Sequence, residues 1–149
     1  MTQPSIVEAA RSFRINCIQP QAQEWEDTRT QPTQALREAA ELGLLAFETP
    51  REFGGLGADF MTKQLICEEL ARGDMAFAFS LVNSQNIAAK LAAGPNAVRH
   101  QELITSLMRA ELFGATALSE PGAGSDFSGI STLAEKNNAG WLLNGTKAW

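Results

Sequence analysis

The sequence predicts an α+β chain in two parts, an N-terminal helical domain over residues 1–111 and the first strands of a β domain over 112–149. Three observations carry this. Segments of helical period, three of them with a capping residue before and a glycine after, follow one another as far as Glu111. One of them, Met75–Ala93, is apolar nearly all round, with Lys90 its only charge, which suits the middle of a bundle. After Glu111 the pattern changes to short apolar runs between Gly, Ser and Asn turns.

Taken in order, Ser5–Ile15 has a helical mix and is expected to break near Pro20. Thr33 is expected to cap a helix through Leu36, Ala39, Ala40 and Leu42, ended by Gly43. Leu44–Phe47 is a short apolar run, and Thr49–Gly57 is a loop by its proline and glycines. Asp59 caps a helix with Met61, Leu65, Ile66 and Leu70 on one face and Glu68, Glu69 and Arg72 off it; Gly73 ends it. Asp74 caps Met75–Ala93, whose Phe77, Phe79 and Leu81 read as core. Gly94-Pro95 stops it and starts a last helix, with Pro95 in its first turn, that carries Val98, Leu103, Ile104, Leu107 and Met108 and fades near Glu111.

In the second part Leu112–Leu118 reads as a strand. Thr132–Lys136 and Trp141–Leu143 read as a hairpin across Asn137-Asn138-Ala139-Gly140, and Asn144-Gly145 turns into Thr146–Trp149. Three or four short strands without closure leave edges exposed, so the chain is expected to be a fragment or to be completed by a partner.

The 149 residues carry a net charge of -5, with 44% hydrophobic and 19% charged residues. That is an ordinary globular composition, and its sign argues against nucleic acid or an anionic membrane as the main partner. No apolar run is long enough for a membrane helix, and Met1–Asn16 does not read as a targeting peptide. Cys17 and Cys67 read as reduced thiols of a cytoplasmic protein. His100, the one histidine, sits in a polar stretch and reads as a solvated side chain, not as a hydrolase base. No metal site is expected.

The segment with chemical character is Ala117-Leu118-Ser119-Glu120-Pro121-Gly122-Ala123-Gly124-Ser125-Asp126-Phe127-Ser128-Gly129. Gly122 and Gly124 permit close backbone approach and unusual dihedrals. Exposed N–H groups with the Ser125 hydroxyl suit a pyrophosphate, and the Ser119 hydroxyl suits a heteroaromatic ring. The same residues equally suit a plain Gly-rich turn in which Asp126 bonds its own backbone. The segment is neither a P-loop nor a dinucleotide fingerprint.

Leu118–Asp126 closely resembles the signature loop of the acyl-CoA dehydrogenase family. Leu143-Asn144-Gly145-Thr146-Lys147-Ala148-Trp149 resembles its second signature. Leu42–Leu45, Phe53–Gly57 and Glu68–Ala71 are similar to its N-terminal domain, so the resemblance runs from about Leu36 to Trp149. It implies a helical domain followed by the opening of a β-barrel-like middle domain, with FAD as cofactor. Thr116, Ala117, Leu118 and Ser119 would run along the flavin, Ser119 bonding its pyrimidine side. Ser125 would contact the pyrophosphate and lie near the acyl-CoA. Trp149 would pack by the flavin ring, or else be a core aromatic, and Glu120 and Asp126 would be structural. The implied activity is α,β-dehydrogenation of an acyl-CoA thioester, as in fatty acid metabolism, with an electron-transfer acceptor and a homo-oligomeric full-length protein. The family's base, a glutamate in a later domain, has no counterpart here, so no residue is assigned as catalytic. Flavin oxidases, including nitroalkane oxidases, and flavin monooxygenases share the loop. A truncated, non-catalytic helical module is the remaining alternative.

Overall fold

The computed structural model describes residues 5–149, which form two compact units dividing between Ala115 and Thr116. The first holds six helices: α1 (Ile6–Phe13), α2 (Gln19–Thr28), α3 (Thr33–Glu41), α4 (Phe60–Ala71), α5 (Met75–Ala92) and α6 (Gln101–Met108). The second holds one antiparallel hairpin, β1 (Leu133–Asn137) and β2 (Gly140–Asn144).

The caps do what the sequence implies. Ser5 and Glu8 form a reciprocal capping box on α1. The Asp59 carboxylate accepts from Thr62 N at 2.7 Å, and Asp74 accepts from Phe77 N at 2.5 Å. Thr33 differs: it is the first residue of α3 and makes no side-chain cap. Pro20 does not break the chain either. Arg14–Ile18 widens into a π-turn, in which Gln19 N donates to Arg14 O, and α2 follows directly. Pro20 lies in the first turn of α2, where a missing N–H costs least. The last helix, expected to start at Pro95, begins only at Gln101, after a 3-10 turn over Ala97–His100.

Helix α5 packs between α4 and α6, and α4 also packs on α1. Phe77, Ala78 and Leu81 of α5 are buried with Phe13, Ile18, Leu36, Leu44, Phe47, Ile66 and Leu70. The Phe77 ring lies 5.9 Å from Phe13 and stacks on Trp25 at 5.7 Å. Further along, Ala88 and Ala92 pack against Ile104, Leu107 and Met108. The helix is not apolar on every buried turn, because Ser84 and Gln85 are buried too. Phe79, expected in the core, is 63% exposed, and Val98 and Leu103 also face out.

The face of α4 is rotated from the one read in the sequence. Met61 and Leu65 are exposed, whereas Glu69 is buried beside Ile66 and Leu70. Burial is possible because cations surround the carboxylate: Arg11 at 3.0 Å, Arg14 at 3.2 Å and Arg72 at 3.8 Å. The hydrogen bond from Arg11, with a second from Arg14, holds the carboxyl below its ordinary value near 4.5, against the opposing effect of burial. Gly73 lets this region close: a Cβ there would lie 2.8 Å from Ile18 Cγ2 and 2.9 Å from Arg14 Cγ.

The chain from Leu44 to Ala58 folds back on itself through Leu56 N to Ala46 O (2.9 Å), Ala58 N to Phe47 O (2.7 Å) and Gly57 N to Thr49 O (3.0 Å). Gly55 is obligatory here, since a Cβ would stand 1.9 Å from Thr49 O. Lys63 of α4 ties the loop to α5 by bonding Glu48 at 2.5 Å and Asn86 at 3.0 Å. Ser84 Oγ accepts from Gly114 N at 2.8 Å, fixing the end of the first unit on α5.

In the second unit the hairpin pairs Leu133 with Asn144, Glu135 with Leu142 and Asn137 with Gly140. Asn137 Oδ1 accepts from Ala139 N at 2.9 Å and stabilises its turn. Fewer strands form than the sequence suggests. Leu112–Ser119 forms no ladder, and a single backbone bond, Ala148 N to Ser119 O at 2.9 Å, joins it to the run after β2.

The Glu69 cluster yields a test. Replacing Glu69→Gln leaves Arg14, 15% exposed, without its counter-charge. It should lower stability in urea by roughly 2 kcal/mol, less than for a fully buried pair because Arg11 and Arg72 are over half exposed. Since the folded-state pKa is depressed, the Glu69 contribution is present above pH 4.5 and lost as pH falls through the lower folded value. The gap between wild type and variant should therefore narrow below pH 4.5; a gap constant from pH 7 to 3 contradicts this account.

Candidate functional site

The Ser119–Asp126 loop starts from a closed turn. Glu120 N donates to Ala123 O at 2.9 Å and Ala123 N to Glu120 O at 3.1 Å. Pro121, the first of the two residues between, fixes the turn's φ. Neither Gly122 nor Gly124 takes a positive φ, so the unusual dihedrals expected of them are not used. Their second property is: a Cβ at either would meet no heavy atom within 4 Å. Asp126 Oδ1 accepts from Ser128 N at 3.0 Å and Ser128 Oγ at 2.7 Å, the local bonding expected of it.

Beneath the turn the Glu120 side chain is 3% exposed. Its Oε2 accepts from Ser131 N and Ser131 Oγ, both at 2.7 Å. Its Oε1 accepts from Thr132 N at 2.9 Å, from the Thr132 hydroxyl, and from Lys147 Nζ at 3.0 Å. Hydrogen bonds from Thr132 and Ser131, followed by that from Lys147, hold this carboxyl far below the usual carboxylate range. So saturated a carboxylate is a poor proton acceptor, and its work is to fasten the loop to the start of β1 and to the run after β2. Gly145 makes room for this, since a Cβ there would lie 2.3 Å from Thr132 Oγ1.

Thr116, Ala117, Leu118, Ser125 and Trp149 are exposed, and Ser119 is half-buried. The backbone N–H groups of Thr116–Ser119 donate to nothing among the described residues. The Ala148–Ser119 bond places Trp149 one residue from the run, with its side chain exposed. The structure thus gathers Thr116–Ser119 and the chain at Trp149, with Ser125 on the same loop. The site shows an open run of unused donors with clearance at two glycines. Elsewhere, a groove of about 410 Å³ between α3, the Glu52–Leu56 loop and α6 contains none of these residues. Among the described residues no cluster of His, Cys, Asp or Glu could hold a metal ion, and no helix is long and apolar enough to cross a membrane.

Residues 2–111 match the family model for the acyl-CoA dehydrogenase N-terminal domain. The chain belongs to the acyl-CoA dehydrogenase family. It is 34% identical over 150 residues to the mitochondrial short-chain specific acyl-CoA dehydrogenase of Rattus norvegicus, covering 99% of this chain and 36% of that protein. A glutaryl-coenzyme A dehydrogenase in complex with glutaryl-CoA superposes with a TM-score of 0.89 at 30% identity, over 100% of this chain and 40% of the other. An acyl-CoA dehydrogenase complexed with FAD from Bacillus anthracis superposes with a TM-score of 0.83 at 31% identity, over 97% and 25%. The chain therefore spans about two fifths or less of the length of these relatives. The match to solved structures includes the hairpin unit as well as the helices.

Sequence reasoning missed Lys147 as a partner of Glu120. The available signal was an acidic residue at a Pro-Gly turn, with a Ser-Thr pair eleven and twelve residues on and a lysine after Asn144-Gly145.

Replacing Glu120→Gln should accelerate amide exchange at Ser131 and Thr132 by on the order of tenfold, because one carboxylate oxygen and the charge opposite Lys147 are lost. Unchanged exchange rates would show that the loop is held some other way. In the wild type these amides should remain protected at pH 4, because the depressed Glu120 pKa keeps the loop charged there, and lose protection only at lower pH.

Proposed function

We propose that this chain supplies one wall of the FAD and acyl-CoA site of an acyl-CoA dehydrogenase. The observation that carries the reading is the open run Thr116–Ser119, its N–H groups unused, continuous with a loop whose two glycines leave room for a ligand. FAD, when bound, accepts the hydride leaving the β-carbon of an acyl-CoA as a base removes the α-proton. The part of this chain is to bind and orient. Thr116, Ala117 and Leu118 line the flavin edge, Ser119 donates to its pyrimidine side, and Ser125 donates to the pyrophosphate and lies near the acyl-CoA. Trp149 flanks the ring. Glu120 is not the base, because each of its oxygens already accepts at least two hydrogen bonds. We assign no catalytic residue within these 149 residues. The acyl-CoA substrate and an electron-transfer acceptor belong to the same proposal.

The reading predicts weak but localised flavin binding. In an amide NMR titration of the 149-residue chain with millimolar FAD, shifts should concentrate at Thr116–Ser119 and Ser125. No shift at these positions would remove the flavin reading, and a tight, stoichiometric yellow complex would show that the chain supplies more than one wall. Acyl-CoA with a dye acceptor should give no turnover; measurable turnover would place a base within this chain.

A further inference from the structure

The Lys147 ammonium has two partners, and one of them is a peptide group. Its Nζ donates to Glu120 Oε1 at 3.0 Å and to the Leu118 carbonyl at 3.1 Å. That carbonyl belongs to the same peptide as the Ser119 N–H, which donates to nothing among the described residues. A cation on the oxygen of an amide draws electron density through it and makes its N–H a stronger donor. On its other side Ser119 is fixed through its carbonyl, which accepts from Ala148 N at 2.9 Å. The residue is thus held on both sides, with one polarised donor left free.

We propose that Lys147 is a positioning residue that polarises the Leu118–Ser119 peptide, so that the Ser119 N–H favours an acceptor carrying negative charge. Resting on the flavin reading above, that acceptor is the pyrimidine side of the flavin, where a reduced flavin holds its added negative charge. The wall therefore binds reduced flavin more tightly than oxidised flavin, and Lys147 is the cause. Glu120 has two effects here. It holds the ammonium in place, and its own charge offsets part of the field.

The test is the ratio of two affinities, measured by amide NMR with oxidised FAD and with FAD reduced anaerobically by dithionite. In the wild type the reduced form should bind more tightly by about threefold, the size expected of a partly solvent-screened charge. K147M should bring the ratio close to one, whereas loss of structure alone would weaken both affinities together. K147R keeps the charge and should keep the preference. K147Q keeps a donor for the Leu118 carbonyl without the charge and should also lose the preference; it and K147R decide the matter if K147M does not fold. A ratio of one in the wild type, or a ratio unchanged in K147M or K147Q, would overturn the inference and leave the flavin reading intact. The absence of any shift with either form of FAD would overturn both.

Discussion

The Glu120 carboxylate joins three pieces of chain that have little else in common. The loop carries it, and the entry to β1 and the run after β2 place donors on it, through backbone N–H, hydroxyl and ammonium groups. The hairpin of the second unit has both faces exposed, so packing does little to organise it. A two-stranded ribbon of this kind is marginal by itself. Polar bonding to a shielded charge supplies the missing definition. The segment Thr116–Ser119, which belongs to no ladder, is tied to the same knot through the Leu118 and Ser119 carbonyls.

The helical unit meets the same need differently. Its core is conventional, with the aromatic group around Phe77 at one end of α5 and small residues facing α6 at the other. Yet polar groups recur where segments meet. Glu69 draws α1 and the π-turn onto α4, Lys63 draws the Leu44–Ala58 loop onto α5, and Ser84 holds Gly114. Apolar burial decides that these helices associate. The polar bonds decide at which register they do so.

The starts of α4 and α5 and the hairpin were legible because their signals are local: Asp59, Asp74 and the Asn-rich turn each act within a few residues. What could not be read depends on partners distant in sequence. Glu69 looks like a solvent residue until arginines 55 and 58 positions away are placed beside it. Pro20 looks like a break until the π-turn before it is known. Phe79 and Val98 look like core because hydrophobicity does not reveal which side of a helix is covered. At the site, the loop was recognised by resemblance and its turn by chemistry. The role of Lys147 was hidden because a lysine 27 residues from its carboxylate carries no local mark.

Gly122 and Gly124 separate what the fold requires from what a ligand would require. Gly55, Gly73 and Gly145 are demanded from within, since a methyl group at any of them collides with the chain itself. At Gly122 and Gly124 the backbone takes no positive φ and the surroundings are empty, so within this chain a methyl group at either meets no obstacle. A sequence chosen only to build these two units would have no reason to write glycine at either place. Any pressure to keep them bare comes from outside the chain, from whatever approaches the loop.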